Sequence, residues 1–191
     1  MNNVPLAQAY RLLNHGPTVL VTSAHGDRRN VMAAAWIMPL DFDPPRVAIV
    51  IDKKTYTREL IDASGSFAIN VPCRAQADMV VQVGSGSGRE LAGKQSGDKF
   101  AAFGVPTFAA TNIDAPLVQG CVAWLECRVI PEPHIQQAYD LFLAEVVAAQ
   151  ADERVFSNGR WHFDGHDELR TIHHVAGGAF LSSGEAFACA R

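Results

Sequence analysis

A glycine- and serine-rich segment is the part of this sequence whose composition best suits the binding of an anion. It reads Gly84-Ser-Gly-Ser-Gly88 and is followed by Arg89. Backbone N–H groups of such a segment, with the hydroxyls of Ser85 and Ser87 and the guanidinium of Arg89, can surround one phosphate group. The same composition is also typical of a flexible loop that binds nothing.

The same segment departs from the fingerprint of dinucleotide-binding folds. That fingerprint places glycines at the first, third and sixth positions of a loop between a strand and a helix. Gly84 and Gly86 occupy the first two positions, but Arg89 stands at the sixth, and Gly93 and Gly97 weaken the helix that should follow. The segment also lacks the Gly-x-Ser-x-Gly spacing of a serine-hydrolase elbow.

The histidines raise the question of a metal site. His162 and His166 lie four residues apart, but Asp164-Gly165 between them resists a helix, so they need not share a face. His173 and His174 are adjacent and would point in opposite directions from a strand. We therefore predict no metal.

The bulk properties exclude several classes of protein. The chain has 191 residues, 48% of them hydrophobic, which suits one globular domain over residues 1–191. The formal net charge is −4 and the basic residues are scattered, which argues against nucleic acid as a partner. No apolar run approaches the ~20 residues of a membrane helix. The four cysteines form no CxxC pair, so we expect reduced thiols and a cytoplasmic protein.

Short apolar runs separated by turns predict a mainly β fold with a few helices. We expect a barrel of antiparallel strands and not a parallel sheet, because most connections are too short or too broken for crossover helices. Segment 74–83 is ambiguous between helix and strand. Predicted strands cover 18–23, 30–37, 46–51, 67–71, 117–130 and 140–147, with one more strand or pair around Phe180 and Phe187; predicted helices cover 5–14 and 55–63, the second capped by Thr55 or Thr57.

The strand predicted over residues 117–130 has the clearest alternation. Cys121, Cys127 and their alternate neighbours fall on one face, whereas Trp124, Glu126 and Arg128 fall on the other. We expect the second face to be half solvated, because it carries both aromatic and charged residues.

Taken in order, several segments resemble the flavin reductase-like family of FMN-binding split barrels, in particular its flavoredoxin-like branch. Each segment is weak evidence alone, but the ordered set spans nearly the whole chain. The segments are 18–23 with 30–36, 42–51 with 53–61, 67–72, 87–89 with 98–100, 114–117 with 125–129, and the tail His173-His-Val-Ala-Gly-Gly178.

The resemblance implies a split barrel of antiparallel Greek-key strands with peripheral helices, and an FMN site at the interface of a homodimer. Asn30, Val31, Met32, Ala33 and Ala34 would edge the isoalloxazine and ribityl chain, with Trp36 nearby, although Trp36 can equally be a core residue. Asn70 would lie near the flavin. The phosphate would be met by Lys53, Thr55, Tyr56, Thr57, Ser87, Gly88, Arg89 and either Lys94 or Lys99.

One departure from the family concerns the electron donor. Many members that oxidise NAD(P)H carry a Gly-Asp-His turn whose histidine is associated with the nicotinamide. This chain has Gln137-Ala-Tyr-Asp140 there, so Tyr139 takes the place of that histidine. We therefore favour a tightly FMN-bound oxidoreductase or electron-transfer protein, fed by a redox partner protein or by a nicotinamide nucleotide. The alternatives are an NAD(P)H:flavin reductase that supplies a partner monooxygenase, and a flavin-binding protein without turnover.

Overall fold

The computed structural model describes residues 16–91 and 98–190, so the helix expected over residues 5–14 lies outside it. Its strands are β1 (Val19–His25), β2 (Arg28–Ala34), β3 (Ile37–Phe42), β4 (Pro45–Val50), β5 (Ser66–Val71), β6 (Thr107–Phe108), β7 (Leu117–Val118), β8 (Ala123–Ile130), β9 (Leu141–Ala151), β10 (Phe156–Ser157), β11 (Arg160–Trp161), β12 (Ile172–Ala176) and β13 (Ala179–Ser182). Its helices are α1 (Tyr56–Ser64), α2 (Ala77–Gly84), α3 (Gly88–Leu91), α4 (Lys99–Ala102) and α5 (Pro133–Tyr139), with short 3-10 turns at Arg74–Gln76 and Asp167–Leu169. Segment 74–83, which the sequence left ambiguous, is thus helical.

Seven strands form one sheet in the order β2-β1-β5-β8-β9-β4-β3, and every neighbouring pair is antiparallel. Although β2 and β3 follow each other in the chain, they occupy opposite edges of this sheet. Only Ala35 and Trp36 join them, so the sheet must curl until its two edges come close together. The mainly β, split-barrel fold expected from the sequence is confirmed.

Alternation along the strands explains where the core lies. One set of side chains, including Val21, Ile49 and Phe142, fills the inside of the curled sheet. The alternate set packs outward against the helices and includes Val31 on β2, which is fully buried beside Val80 of α2 and Phe100 of α4. Val31, expected at the flavin, is therefore part of this outer core.

Helix α1 is fixed at both ends by its caps. The hydroxyl of Thr55 accepts a hydrogen bond from the backbone N–H of Arg58, which confirms Thr55 as the N-cap. Gly65 ends the helix at a φ of 70°, in the left-handed region that favours glycine. The buried guanidinium of Arg58 donates to the carboxylate of Asp62 and to the carbonyl of Gln136, and so ties α1 to α5.

The long strand expected over residues 117–130 is interrupted. Gly120 has a φ of 85° between β7 and β8, so the ladder breaks there. The expected half-solvated face is also wrong at Glu126, which is only 2% exposed. Its carboxylate accepts the backbone N–H groups of Thr111 and Asn112, at 2.9 and 2.6 Å, and thereby holds a loop over this face.

The C-terminal part adds a two-stranded hairpin, β12–β13, that pairs His174 with Phe180. Phe187 lies beyond it, outside any strand and 88% exposed, so only Phe180 fits the strand expectation for the tail. Among the helices of the described ranges, none has both the length and the apolar character to cross a membrane.

Candidate functional site

Three adjoining cavities follow strand β2 and form one cleft. The first, of about 320 Å³, shares Ala33 and Gly84 with the second, of about 360 Å³. The second shares Ala34, Ala35 and His174 with the third, of about 600 Å³. We call the first cavity the polar end and the third the open end; both sizes are typical of small-molecule sites.

The polar end brings together most of the residues that the sequence assigned to the flavin. Its lining consists of Asn30, Met32, Ala33, Asp52, Lys54, Thr55, Tyr56, Thr57, Val83, Gly84, Gly86, Ser87, Gly88 and Lys99. Residues of β2, of the N-terminus of α1, of the glycine-serine segment and of α4 thus meet in one place, although up to 69 positions separate them in the sequence (30 to 99).

Asn30 and Thr57 form the buried floor of the polar end. The Asn30 Nδ2 amide donates to the Thr57 hydroxyl at 2.8 Å, and the two residues are 2% and 0% exposed. Among the described residues, the Asn30 Oδ1 atom has no hydrogen-bond partner. A buried acceptor without a donor costs about 1–3 kcal/mol, so a ligand hydroxyl at this position would be stabilising.

Gly88 lies against the same amide. A Cβ atom added to Gly88 would stand 2.1 Å from Asn30 Oδ1 and 3.2 Å from the Tyr56 ring. Asn30 cannot easily move aside, because its amide is already bonded to Thr57. The position therefore requires glycine, which lets the backbone of the glycine-serine segment approach β2 closely.

Lys99 supplies a buried positive charge. Only 3% of it is exposed, and its ammonium group donates to the Val83 carbonyl at 2.6 Å. Burial lowers the pKa of Lys99, because the charged form loses its hydration. Lys94, the other basic residue considered for the phosphate, lies outside the described residues.

The N-terminus of α1 adds further donors. The first N–H groups of a helix have no partner within it and carry partial positive charge, so Tyr56 and Thr57 present an electropositive wall. Lys54 joins this wall, whereas Lys53 does not line the cavity. The Lys53 ammonium instead donates to the Gln137 carbonyl at 3.2 Å. Of this adjacent pair, the structure thus brings Lys54 to the polar end, whereas the sequence analysis named Lys53.

Arg89 lies beside the polar end without lining it. Its guanidinium is 2.9 Å from the Glu59 carboxylate, which also binds Arg28 at 2.9 Å. The Arg89 guanidinium also lies 5.9 Å from the centre of the Tyr56 ring. Arg89 is thus held at the rim in an exposed ion-pair network.

Asn70 lies away from the cleft. Its amide nitrogen donates to the Leu20 carbonyl at 3.0 Å and its amide oxygen accepts from the Val118 backbone at 2.7 Å. It is fully buried within the sheet, and these bonds use both ends of the amide. The structure therefore gives Asn70 a role in joining β1, β5 and β7 and does not bring it to the flavin residues.

The open end has a different character. Its lining consists of Met32, Ala34, Ala35, Trp36, Val50, Asp52, Tyr139, Asp140, His174, Val175, Ala176 and Gly177. Trp36 is 54% exposed, so the alternative that it fills the core does not hold in this chain. Sequence reasoning did not assign His174 to the site: it named this residue in a histidine pair and in the tail segment of the resemblance, without a role at the flavin. The described ranges contain no cluster of three or more acidic, histidine or cysteine side chains suited to a metal ion.

These features match one ligand shape. Small residues, Ala33 to Ala35, line the cleft between its ends and leave room for a flat ring close to the backbone of β2. Hydroxyls, an unpartnered buried acceptor and a buried ammonium group gather at the polar end. The cleft is therefore suited to a molecule with a planar ring at one end and a hydroxylated, anionic tail at the other.

Comparison with known proteins agrees with this reading. Residues 11–169 match the protein family described as flavin reductase like domain. The protein YddH of Escherichia coli is 50% identical over 185 residues, which cover 95% of this chain and 94% of YddH. A Shewanella baltica crystal structure, described as an FMN-binding domain of a flavin reductases-like enzyme, is 50% identical with a TM-score of 0.85, covering 98% of this chain and 96% of that one. Flavoredoxin of Desulfovibrio vulgaris is 26% identical with a TM-score of 0.79, covering 100% and 97%.

Proposed function

Because this chain belongs to the flavin reductase-like family, we propose that it is an FMN-dependent oxidoreductase or electron-transfer protein of the flavoredoxin kind. The observation that carries the proposal is the unpartnered Asn30 Oδ1 atom, buried beside Gly88 at the floor of the polar end. Bound FMN would supply the exchange of one or two electrons, while the protein sets its position and exposure.

The residues of the polar end fit the chemistry of this cofactor. The ribityl chain of FMN carries hydroxyls, one of which can donate to Asn30 Oδ1. Its phosphate is a dianion, which suits the N-terminus of α1, the Thr57 and Ser87 hydroxyls and the Lys99 ammonium group. Gly88 contributes by having no side chain, so the backbone can lie close to both Asn30 and the ligand.

The roles of the individual residues follow from their contacts. Thr57 fixes the orientation of the Asn30 amide through the 2.8 Å hydrogen bond. Lys99 is buried, so little water reaches its ammonium group. This group neutralises the anionic charge of the ligand. Ala33 and Ala34 line the cleft with small, apolar surface. In this proposal these residues bind and orient, and none of them acts as an acid or base.

A second candidate function is an NAD(P)H:flavin reductase, which is favoured by the room at the open end. That cavity is about 600 Å³ and is lined by His174 as well as Tyr139, so an imidazole is present although the family histidine is replaced. NAD(P)H is then the reductant, and reduced flavin passes to a partner protein.

The absorbance spectrum of the freshly purified protein tests the proposal first. We expect flavin bands that remain after desalting, and uptake of added FMN by any colourless fraction. A colourless protein that takes up no FMN would contradict the proposal. Anaerobic NADH and NADPH then separate the two candidates: rapid bleaching favours the reductase, and persistent bands favour an electron carrier reduced by another protein.

We also propose that the chain acts as one domain per subunit of a homodimer. Large apolar side chains are exposed along the edge strand β3 and just before it: Trp36 is 54% exposed, Met38 56%, Leu40 44% and Phe42 98%. Such a group of apolar residues on an unpaired edge usually marks an interface. Light scattering at micromolar concentration should give twice the chain mass of 20.6 kDa, and a monomer would contradict the proposal.

A further inference from the structure

The residues of the open end define what kind of ligand could lie there beside the cofactor. Its only charged lining residues, within the described part of the chain, are Asp52 and Asp140. The Asp52 carboxylate accepts the Lys54 backbone N–H at 2.7 Å, and that of Asp140 lies 3.4 Å from the Arg58 guanidinium. The Asp140 carboxylate also lies 3.6 Å from the Lys53 ammonium group, so its charge is compensated, but no lysine or arginine lines the cavity to receive an anionic group.

The walls of the open end favour a planar and neutral ligand. Trp36 and Tyr139 contribute aromatic surface, and Ala34 and Ala35 leave space above the backbone. Aromatic walls that stand over small residues are suited to a flat conjugated ring. The polar side-chain groups of this lining that such a ring can meet include the Tyr139 hydroxyl and the His174 imidazole.

His174 is held firmly at the boundary between the middle cavity and the open end. Its backbone N–H donates to the buried Thr18 hydroxyl at 2.8 Å, and its ring meets the Phe180 ring edge-on at 5.5 Å. The imidazole nitrogens have no hydrogen-bond partner within the described ranges. Gly177 and Gly178, with φ values of 56° and 81°, close the hairpin just beyond His174.

We propose that His174 donates a hydrogen bond to the oxygen of a planar ligand bearing a conjugated carbonyl or carboxamide group, bound in the open end. The inference rests on the proposed function, because it assigns the ligand class that meets the flavin. Two sources share this chemistry: the carboxamide of a nicotinamide nucleotide and the carbonyl of a quinone-like electron acceptor. His174 then supplies, from β12, the imidazole that the α5–β9 turn lacks.

Binding to the oxidised, FMN-loaded protein tests the inference without turnover. The probes are tetrahydro-NADH, which cannot donate a hydride, and menadione, with methylnaphthalene as its counterpart without carbonyl groups. The variants are His174→Leu, His174→Gln, which keeps one N–H donor, and His173→Leu as a matched control on the opposite face of β12. Dissociation constants come from perturbation of the flavin absorbance and from calorimetry.

We expect His174→Leu to weaken tetrahydro-NADH or menadione about three- to tenfold, the effect of one neutral hydrogen bond. His174→Gln should recover part of this lost affinity. The His173→Leu variant should bind both probes within about twofold of the wild type. All variants should bind FMN and methylnaphthalene within about twofold of the wild type. If His174→Leu weakens the binding of tetrahydro-NADH, the ligand is a nicotinamide nucleotide. If it weakens the binding of menadione, the ligand is a carbonyl-bearing electron acceptor.

Three outcomes would overturn the inference: both probes bind His174→Leu as they bind the wild type, neither probe binds the wild type, or FMN is weakened as much as the probes. If His174→Leu does not fold, the imidazole proton signals of His174 in the wild type must shift when a probe is added. A wild-type protein that takes up no FMN contradicts the proposed function instead, and the same proton signals then decide the inference separately.

Discussion

The two ends of the cleft are built in opposite ways. At the polar end, Asn30, Thr57 and Lys99 are nearly inaccessible, and each holds a fixed hydrogen bond. At the open end, Tyr139 is 65% exposed. The polar end is therefore preorganised, so its side chains lose little conformational entropy when a ligand binds. The open end leaves room for one ligand to replace another.

This difference indicates a division of tasks. In the proposed function, the preorganised end would set how tightly FMN is retained, because its residues need not reorganise on binding. An exposed end sets which molecule can approach the ring. Changes at the polar end should therefore alter FMN affinity.

Gly88→Ala should have the largest effect. The new methyl group would lie 2.1 Å from Asn30 Oδ1, so the Asn30 amide must leave Thr57 or the glycine-serine segment must move. Overpacking of this kind costs about 1–3 kcal/mol or more, and we expect FMN affinity to fall about 100-fold in a fluorescence titration.

Gly86→Ala is the matched control for that substitution. Gly86 lines the same cavity, but a Cβ atom there meets nothing within 4 Å. Its FMN affinity should stay within about threefold of the wild type, since surface changes cost little. Equal losses for the two variants would mean that flexibility of the segment, and not the contact with Asn30, determines binding.

Thr57→Ala should have the next largest effect. It removes the acceptor for the Asn30 amide and leaves a buried donor unpaired, which costs about 1–3 kcal/mol. We expect FMN affinity to fall about tenfold by calorimetry, and more than riboflavin affinity. Thr57→Ser keeps the hydroxyl and should bind FMN nearly as the wild type does. Equal losses for FMN and riboflavin would place Thr57 away from the phosphate.

The pH dependence of binding tests Lys99. Burial places its pKa below the 10.5 of an exposed lysine, so the free protein loses this proton at lower pH than an exposed side chain would. A phosphate dianion nearby favours the protonated form, so FMN binding takes up a proton. The preference for FMN over riboflavin should therefore decline as the pH rises, and the decline should begin below the pH at which an exposed lysine loses its proton.

Lys99→Gln provides the control for that profile. Without the amine, the preference for FMN should be weaker and should not decline as the pH rises. A flat profile in the wild type would show that Lys99 does not meet the phosphate.

The lowered pKa of Lys99 also affects stability. The free energy of unfolding should rise with pH between the lowered pKa and 10.5, because in that range Lys99 keeps its proton only in the unfolded state.

Arg89→Ala should have the smallest effect. Its side chain is 57% exposed and its guanidinium is already paired with Glu59, and exposed ion pairs contribute at most about 1 kcal/mol. We expect FMN affinity to fall less than threefold in the same titration. Arg154→Ala, which breaks an exposed pair with Asp152, is the control for loss of charge. A tenfold loss confined to Arg89→Ala would place this residue on the phosphate.

The sequence predicted the fold best where the signals are local. Short apolar runs located β1, β4, β5 and β9, and the hydroxyl of Thr55 located the start of α1. It failed for β3, where Pro39 interrupts the pattern and the apolar side chains of Met38 and Phe42 face solvent. It also missed the break at Gly120, because a positive φ does not alter the hydrophobic pattern.

The candidate site was predicted best where its residues lie in short sequence motifs. Asn30, Thr57 and Gly88 each lie in a short motif, and the resemblance to a family assigned them together. The choice between Lys53 and Lys54 depends on side-chain direction, which spacing does not give. His174 reaches the cleft only because its hairpin bonds to Thr18, a contact across 156 positions that no local pattern encodes.

The two-residue link between β2 and β3 also has a consequence for folding. Hairpins β1–β2 and β3–β4 are local and can form early, but the strands that join them into one sheet come from distant parts of the chain. Ala35 and Trp36 therefore lie where the two edges of the sheet approach each other, and we expect this approach to form after the two local hairpins. Since the cleft is lined by β2, by this link and by the β12–β13 hairpin, a ligand bound there would connect the C-terminal hairpin to one edge of the sheet.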